Sequence, residues 1–362
     1  MTSTAIAGRG GRRRGSRDRS LADLQAEWEN RELMHAVLKA QFGNGAAIRV
    51  GAVFERHVVQ EVADEVARRI VNIPAGRQFL EHRRARFLVD AVKQIVREGS
   101  DRAKAKLLEE AKALAGLEVR FLQKAGKDVL GAQFRTAAPS LVEAAITRQP
   151  MMGRAFGEWF GDWVPRATES RIVARVRAGM VAGESAPQIV RSLQGTRALQ
   201  YTDGVMAQSR RGVAMLVRTT MTHTSSVARD LTFQKNSDVV ERVRWVATLD
   251  LRTSLICASL DGKTWTVDEP HPSPPAHPNC RSTLGPSIGP PAGMRAALGG
   301  RVDGKTVVEE WWKSRSVAEQ NLAIGKTKAE AWRAGKLTIE EMVDVALGRT
   351  LTLDELRAAG KL

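Results

Sequence analysis

Two cysteines and six histidines in 362 residues leave few ways to build a reactive or metal-binding centre. Half of these, both cysteines included, fall in residues 245–284, WVATLDLRTSLICASLDGKTWTVDEPHPSPPAHPNCRSTL, which hold Cys257, His271, His277 and Cys280. Cys257, His277 and Cys280 are candidate zinc ligands, with Asp250 or His271 as a fourth, since tetrahedral zinc accepts thiolate, imidazole and carboxylate. The His-x-x-Cys half has the right spacing, and the other half is a lone cysteine. A Cys257–Cys280 disulfide and two buried free thiols are the other states open to the pair. A Cys–His nucleophile would need a third group to orient His277, and Asn279 is too close in sequence to be given that role. There is no Gly-rich phosphate loop, His-Glu-x-x-His motif or nucleophile elbow. Asp268 and Glu269 are adjacent and point apart on an extended chain. The reading is a protein that is not an enzyme.

These residues must be positioned by what surrounds them. Residues 239–249 are β-branched and aromatic, as in a strand. Asp261-Gly262 is a hairpin turn signal, and 263–267 can form the return strand. Residues 270–278 carry too many prolines for helix or central strand, and so long a loop needs something to hold it. Upstream, Ser20 caps a helix carrying Leu21, Leu24, Trp28, Leu33, Met34 and Leu38, which Asn44-Gly45 is expected to break. Val58, Val62, Val66 and Ile70 recur at helical spacing, as do Phe87, Leu88, Ala91 and Ile95, with Arg83, Arg84, Arg86, Lys93 and Arg97 on a solvated face. Phe156, Trp159, Phe160 and Trp163 read as core. A helix capped by Ser185 carries Ile189, Val190 and Leu193 and stops at Gly195. Another, from about Ser209, buries Val213, Leu216, Val217, Thr220, Val227 and Leu231 and leaves a polar stripe of Arg218, Thr222, Ser225 and Arg229. His223 on that helix reads as structural. At the C-terminal end, Thr306, Ser316, Thr327, Thr338 and Thr352 each precede a glutamate by three residues, the spacing of a capping box.

The predicted fold is mainly α: a helical bundle or long helical arm, a loop-rich central domain with a small β-hairpin, and a C-terminal unit of short helices packed by Trp311, Trp312, Leu322, Trp332, Met342, Val345 and Leu351. The expected divisions are a disordered Arg-rich tail over 1–19, helical regions over 20–138 and 139–235, the Cys/His motif domain over 236–284, a Pro/Gly linker over 285–301 that acts as a hinge, and an independently folding unit over 302–362. The net charge of +16 suggests a polyanionic partner. Arg9, Arg12, Arg13, Arg14, Arg17 and Arg19 face a single acid, Asp18, and form a candidate nucleic-acid-binding arm that works by counterion release. No apolar run is long enough for a membrane span, and the N-terminus lacks the apolar core of a secretory signal, so a cytoplasmic product is expected.

The stretch Trp245-Val-Ala-Thr-Leu-Asp250-x-Arg252-Thr253, then Cys257, Leu260-Asp261-Gly262-Lys263 and Pro275-x-His277-Pro278-Asn279-Cys280-Arg281 resembles the phage Mu F-like minor head proteins, also called phage head morphogenesis proteins. Gly183-Glu184-Ser185, Leu193-x-Gly195 and Val217-Arg218-Thr219 share the resemblance. So do Glu310-Trp311, Gly325-Lys326, Trp332-Arg333-x-Gly335-Lys336 and Leu351-Thr352-Leu353-x-Glu355-Leu356. Family members often carry further cysteines where this chain has Ser254 and Ser282. The resemblance implies a structural minor capsid protein acting in head morphogenesis of a tailed bacteriophage. It implies portal and major capsid proteins and packaged double-stranded DNA as partners, and a place in the virion after assembly in the host cytoplasm. A zinc-stabilised nucleic-acid-binding protein and a thiol-dependent hydrolase or nuclease are the alternatives.

Overall fold

The computed structural model describes residues 19–74, 76, 82–250, 252–288, 312–345 and 349–362. Arg9, Arg12, Arg13, Arg14, Arg17, Thr306 and Trp311 lie outside the described residues.

Helix α1 (Leu21–Phe54) begins where Ser20 and Asp23 cap each other reciprocally. It does not break at Asn44-Gly45. A glycine inside a helix costs about 1 kcal/mol, and packing offsets this here, because α1 lies along two other long helices and Gly43 faces Met221 across the contact. A π-helical turn at Glu55–Gln60 carries the chain without interruption into α2 (Glu61–Ile70). There Val58, Val62, Val66 and Ile70 are all buried. Helix α3 (Arg83–Ala125) returns antiparallel over about 65 Å. Gly99 lets it approach the π-helical turn: a Cβ at 99 would lie 2.4 Å from the His57 carbonyl oxygen. The basic stripe of α3 is solvated, as read, with Arg97 paired to Glu169 at 3.3 Å. Phe87 is exposed rather than packed, under the Arg83 guanidinium.

Helix α4 (Pro139–Arg148), the short α5 (Phe156–Glu158) and α6 (Val164–Val181) follow. Then comes α7 (Ala186–Gln194), bounded by Ser185 and by Gly195 at φ 92°. The long α8 (Met206–Gln234) runs through the middle of the bundle. One continuous core joins Phe54, Leu107 and Leu114 to Ile146, Phe160, Ile172, Val217 and Met221. The expected division of 20–138 from 139–235 is therefore not a division of cores: α8 packs on both α1 and α3, and α4 and α6 pack on α3.

Strand β1 (Arg242–Val246) is central in an antiparallel three-stranded sheet of order β2-β1-β3, with β2 (Thr264–Thr266) and β3 (Thr283–Pro286) on either side. The expected tight hairpin is opened by a helix, α9 (Leu255–Leu260), between β1 and β2. Asp261-Gly262 makes the turn from α9 into β2, and Asp261 Oδ1 accepts from the Ala247 amide at 2.7 Å. Gly285 and Pro286, expected to begin the linker, belong to β3. The rest of the linker lies outside the described residues apart from Ser287 and Ile288.

The C-terminal part holds α10 (Val317–Ile324), α11 (Lys326–Arg333), the β4–β5 pair (Val343–Asp344 and Arg349–Thr350) and α12 (Leu353–Ala358). Ser316, Thr338 and Thr352 make the expected bonds with Glu319, Glu341 and Glu355. Thr327 does not, because α11 already starts at Lys326 after Gly325. Trp312 and Met342 are buried as expected, but Leu322 is 89 % exposed. Leu255 and Ala258 of α9 belong to the same cluster as Trp312, Leu337, Ile339 and Leu356. This unit is therefore built on the motif region and does not own its core.

Candidate functional site

The motif loop lies on α8. Arg218 donates to Asn279 Oδ1 at 3.0 Å, the Asn279 amide donates to Thr219 Oγ1 at 2.9 Å, and Thr222 Oγ1 donates to the Cys280 carbonyl at 2.6 Å. Arg218 and Thr219, which share the family resemblance in the sequence, are thus part of the clasp for the His277–Cys280 turn. Asn279 takes a left-handed conformation at φ 57°, which asparagine tolerates better than most residues. His223 donates to the Ile146 carbonyl, and burial lowers its pKa. It is structural, as read.

Cys257, His277 and Cys280 converge. The Cys257 sulfur lies 3.2 Å from His277 Nε2 and 3.5 Å from the Cys280 sulfur, and all three donor atoms lie within 4.8 Å of one another. The edges of a tetrahedral zinc site with such ligands measure about 3.5–3.8 Å; the sulfur–sulfur edge of 3.5 Å matches and the sulfur–nitrogen edge of 3.2 Å is shorter, so this set offers a zinc ion three ligands of four. His277 Nδ1 donates to the Pro278 carbonyl at 2.9 Å. That leaves Nε2 with its lone pair toward the sulfurs, the orientation a metal-binding imidazole needs. Both cysteines are free, so the disulfide alternative is not the state of this structure. The Cys257 hydrogen bond, helped by His277, holds the Cys280 thiol well below its ordinary pKa, while Cys280 and burial push Cys257 up.

Asp250 does not join the set. Arg281 grips it with a fork of 2.6 and 2.5 Å, and this pair holds the carboxyl down at about 2. Asp250 also accepts from the Arg252 amide, and the Asp250 amide donates to Thr253 Oγ1. The Asp-x-Arg-Thr signature is therefore a turn that shapes the approach to α9 and receives Arg281. His271 is also outside the set, stacked near Trp265. Ser254 Oγ, by contrast, accepts from the Cys257 amide at 3.2 Å. A nucleophile must be reachable, and the sulfurs of this pair belong to residues only 3 % and 2 % exposed.

A second cluster, which the sequence reading missed, lies further along α8. Arg229, assigned there to an exposed polar stripe, is fully buried. Its Nε donates to Glu118 at 2.8 Å and its Nη1 to Glu32 at 2.7 Å. Glu118 also accepts from His35 at 2.9 Å, and the guanidinium carbon sits 5.3 Å from the Phe121 ring centre. Burial opposes the charge on Glu118, but Arg229, His35 and Lys39 together more than offset it and hold that carboxyl at about 2. Burial lowers the pKa of Lys39 beside them.

The two clusters hold one strand. Alternate carbonyls of an extended chain point the same way. Those of Cys280, Ser282 and Leu284 are taken by Thr222 at 2.6 Å, Lys39 at 3.4 Å and Arg229 at 2.9 Å. The opposite edge of the strand pairs with β1. An edge strand that would otherwise expose its carbonyls is thereby closed by polar and charged side chains of α1 and α8. Of the arginine arm only Arg19 is described. It is not free: it pairs with Glu27 at 2.7 Å and donates to the Val129 carbonyl.

The resemblance read in the sequence is matched by comparison. Residues 170–285 match the family model described as Phage Mu protein F like protein. This segment belongs to that family, and it contains α7, the clasp on α8 and the whole Cys/His motif. No curated protein and no solved structure matches the chain. Among the described residues, no helix is long and apolar enough to cross a membrane.

Proposed function

We propose that this protein is a structural minor head protein of a tailed bacteriophage, acting in head morphogenesis at or near the portal and contacting packaged DNA. It would assemble in the host cytoplasm and remain in the virion with portal and major capsid proteins as partners. The observation that carries this reading is the family match over residues 170–285, on a motif whose polar groups are spent on holding a strand rather than on facing a substrate. The charge of +16 suits a compartment filled with polyanion. Purified particles should retain the protein after a high-salt wash that strips loosely bound basic proteins. Its absence from particles at every assembly stage, DNA-free precursors included, would overturn the reading.

DNA contact is assigned to the arginines of the N-terminal tail. Deleting residues 1–18, which keeps the tethered Arg19, should flatten the dependence of DNA affinity on salt for all sequences alike. An unchanged slope would move the contact to the exposed arginines of α3. The three-donor cluster also favours a second reading, a zinc-stabilised nucleic-acid-binding protein. Stoichiometric zinc together with sequence-selective DNA binding and absence from particles would support it. Burial of both sulfurs opposes the third reading, a thiol-dependent hydrolase or nuclease. Turnover sensitive to thiol reagents would be needed to revive it.

A further inference from the structure

The polarity of α1 is inverted over its middle. Between Arg31 and Arg49 its charged and imidazole side chains, Glu32, His35 and Lys39, are all buried. All of its large apolar ones but Phe42, which packs on the core, point outward: Leu33 is 54 % exposed, Met34 73 %, Val37 55 %, Leu38 60 % and Ile48 73 %. A helix facing water normally shows the reverse. The inward charges are explained by the Arg229 cluster. Among the described residues nothing covers the outward apolar face.

Each residue of an α-helix turns by about 100°, so Asn30, Met34, Val37, Leu38, Gln41, Asn44, Gly45, Ile48 and Ala52 form one stripe centred on Gln41. The stripe carries no charge. Its large residues lie mainly on the N-terminal side of Gln41 and its small ones mainly on the C-terminal side. We propose that this stripe pairs with the same stripe of a second copy of this chain, antiparallel, about a two-fold axis near Gln41. That arrangement sets Val37 against Gly45, Leu38 against Asn44, Met34 against Ile48 and Asn30 against Ala52. A parallel pairing would set bulk on bulk at one end and leave gaps at the other.

Two features favour a second copy over another occupant. The stripe is complementary to itself under the reversal that a two-fold axis imposes, as an isologous interface requires. It is also an uncharged strip on a chain of net charge +16, so two copies meet where their mutual repulsion is least. The flanking Arg31 and Arg49 are paired with Asp128 and Glu110; the Arg49 guanidinium lies beside Gly45 and must turn aside to admit Val37 of the second copy. The stripe is about 33 Å long. Such a helix pair lies near the lower end of specific interfaces, about 1,200 Å², and association should be reversible.

Sedimentation velocity on the full-length protein tests this. The wild type should shift from monomer to dimer with concentration, and raising salt should not weaken the dimer. Val37→Glu places a charge at the centre of the contact on an exposed position, so the fold should keep its melting temperature. Dimerisation should weaken at least tenfold. The Gln41→Cys variant should crosslink to the same position of the second copy under oxidation, as read by peptide mapping, whereas the Leu33→Cys variant should not crosslink to itself. A wild type that stays monomeric throughout overturns the proposal, as does a dimer unaffected by Val37→Glu. If the chain stays monomeric and Val37→Glu instead prevents incorporation into particles, the face takes another head protein and self-pairing is wrong. The sedimentation and crosslinking outcomes do not depend on whether the protein is found in virions.

Discussion

The Cys257–His277–Cys280 cluster and the Arg229–Glu32–Glu118 cluster hold the same short stretch of chain, yet they are made of opposite materials. The first joins side chains 20 and 23 positions apart in sequence. Its donors are soft: two sulfurs and an imidazole. The second joins residues 197 and 111 positions apart, all ionic and removed from water. Losing one member of the first removes a contact. Losing one member of the second leaves a charge stranded in the interior, which is costlier. The loop is therefore tied by a local knot that can be loosened and by a distant lock that cannot.

The largest effect should follow from Arg229→Met. Glu32 and Glu118 would be left buried without their partner, and the Leu284 carbonyl would lose its donor. Chemical denaturation should show a loss of about 3–5 kcal/mol. A loss below about 1 kcal/mol, the value typical of an exposed ion pair, would mean that the cluster is solvated and the comparison is wrong. Cys280→Ser should cost less, about 2 kcal/mol, in the ordinary range for a buried substitution. Its effect should be local, with faster hydrogen exchange over residues 268–284 and little change in α3.

The smallest effect should be one of pH, and the acids divide by environment. Burial raises Asp261 to about 6, and burial likewise raises Asp230 to about 6. Their stabilising contribution is full below the ordinary value of 3.8 and is lost as pH rises through about 6. Glu118 is held at about 2, so its contribution is present above 4.5 and is lost as pH falls through about 2. The melting temperature should therefore rise as pH is lowered from about 6.5 toward 4.5 and fall below that. Asp261→Asn keeps an acceptor for the Ala247 amide and removes the titration, so the rise should shrink. A rise of unchanged size in that variant would show that Asp261 titrates normally.

The sequence carried the local part of this architecture and missed the distant part, for physical reasons. Ser20, Ser185, Ser316 and Thr352 announce helix starts because a cap is made by neighbours within three residues. The convergence of Cys257, His277 and Cys280 was legible because one loop brings them together. Gly45 misled because its cost of about 1 kcal/mol is small beside the packing of α1 on α3 and α8. Asp250 misled because a carboxylate beside a Cys/His motif reads as a ligand until Arg281 is seen to take it. Arg229 was assigned to an exposed face because arginine is rarely buried. Only the fold could show that Glu32 and Glu118 meet it. The outward Leu33, Met34 and Leu38 read as the helix's apolar face, but there the inward places of α1 are taken by Glu32, His35 and Lys39. An ion cluster in the interior thus reverses the usual pattern on both sides of a helix.

The central claim is that residues 280–286, which end in β3, form an extended segment locked to the bundle by side chains of α1 and α8 rather than a loop around a reactive centre. Native-state hydrogen exchange of peptides spanning 280–288 tests it most directly. The wild type should protect the Thr283 and Gly285 amides to nearly the global unfolding free energy, and Arg229→Met should release them in a smaller, subglobal opening while α3 stays protected. Exchange of 280–288 in the wild type as fast as in an exposed loop, or a segment unaffected by Arg229→Met, would contradict the lock.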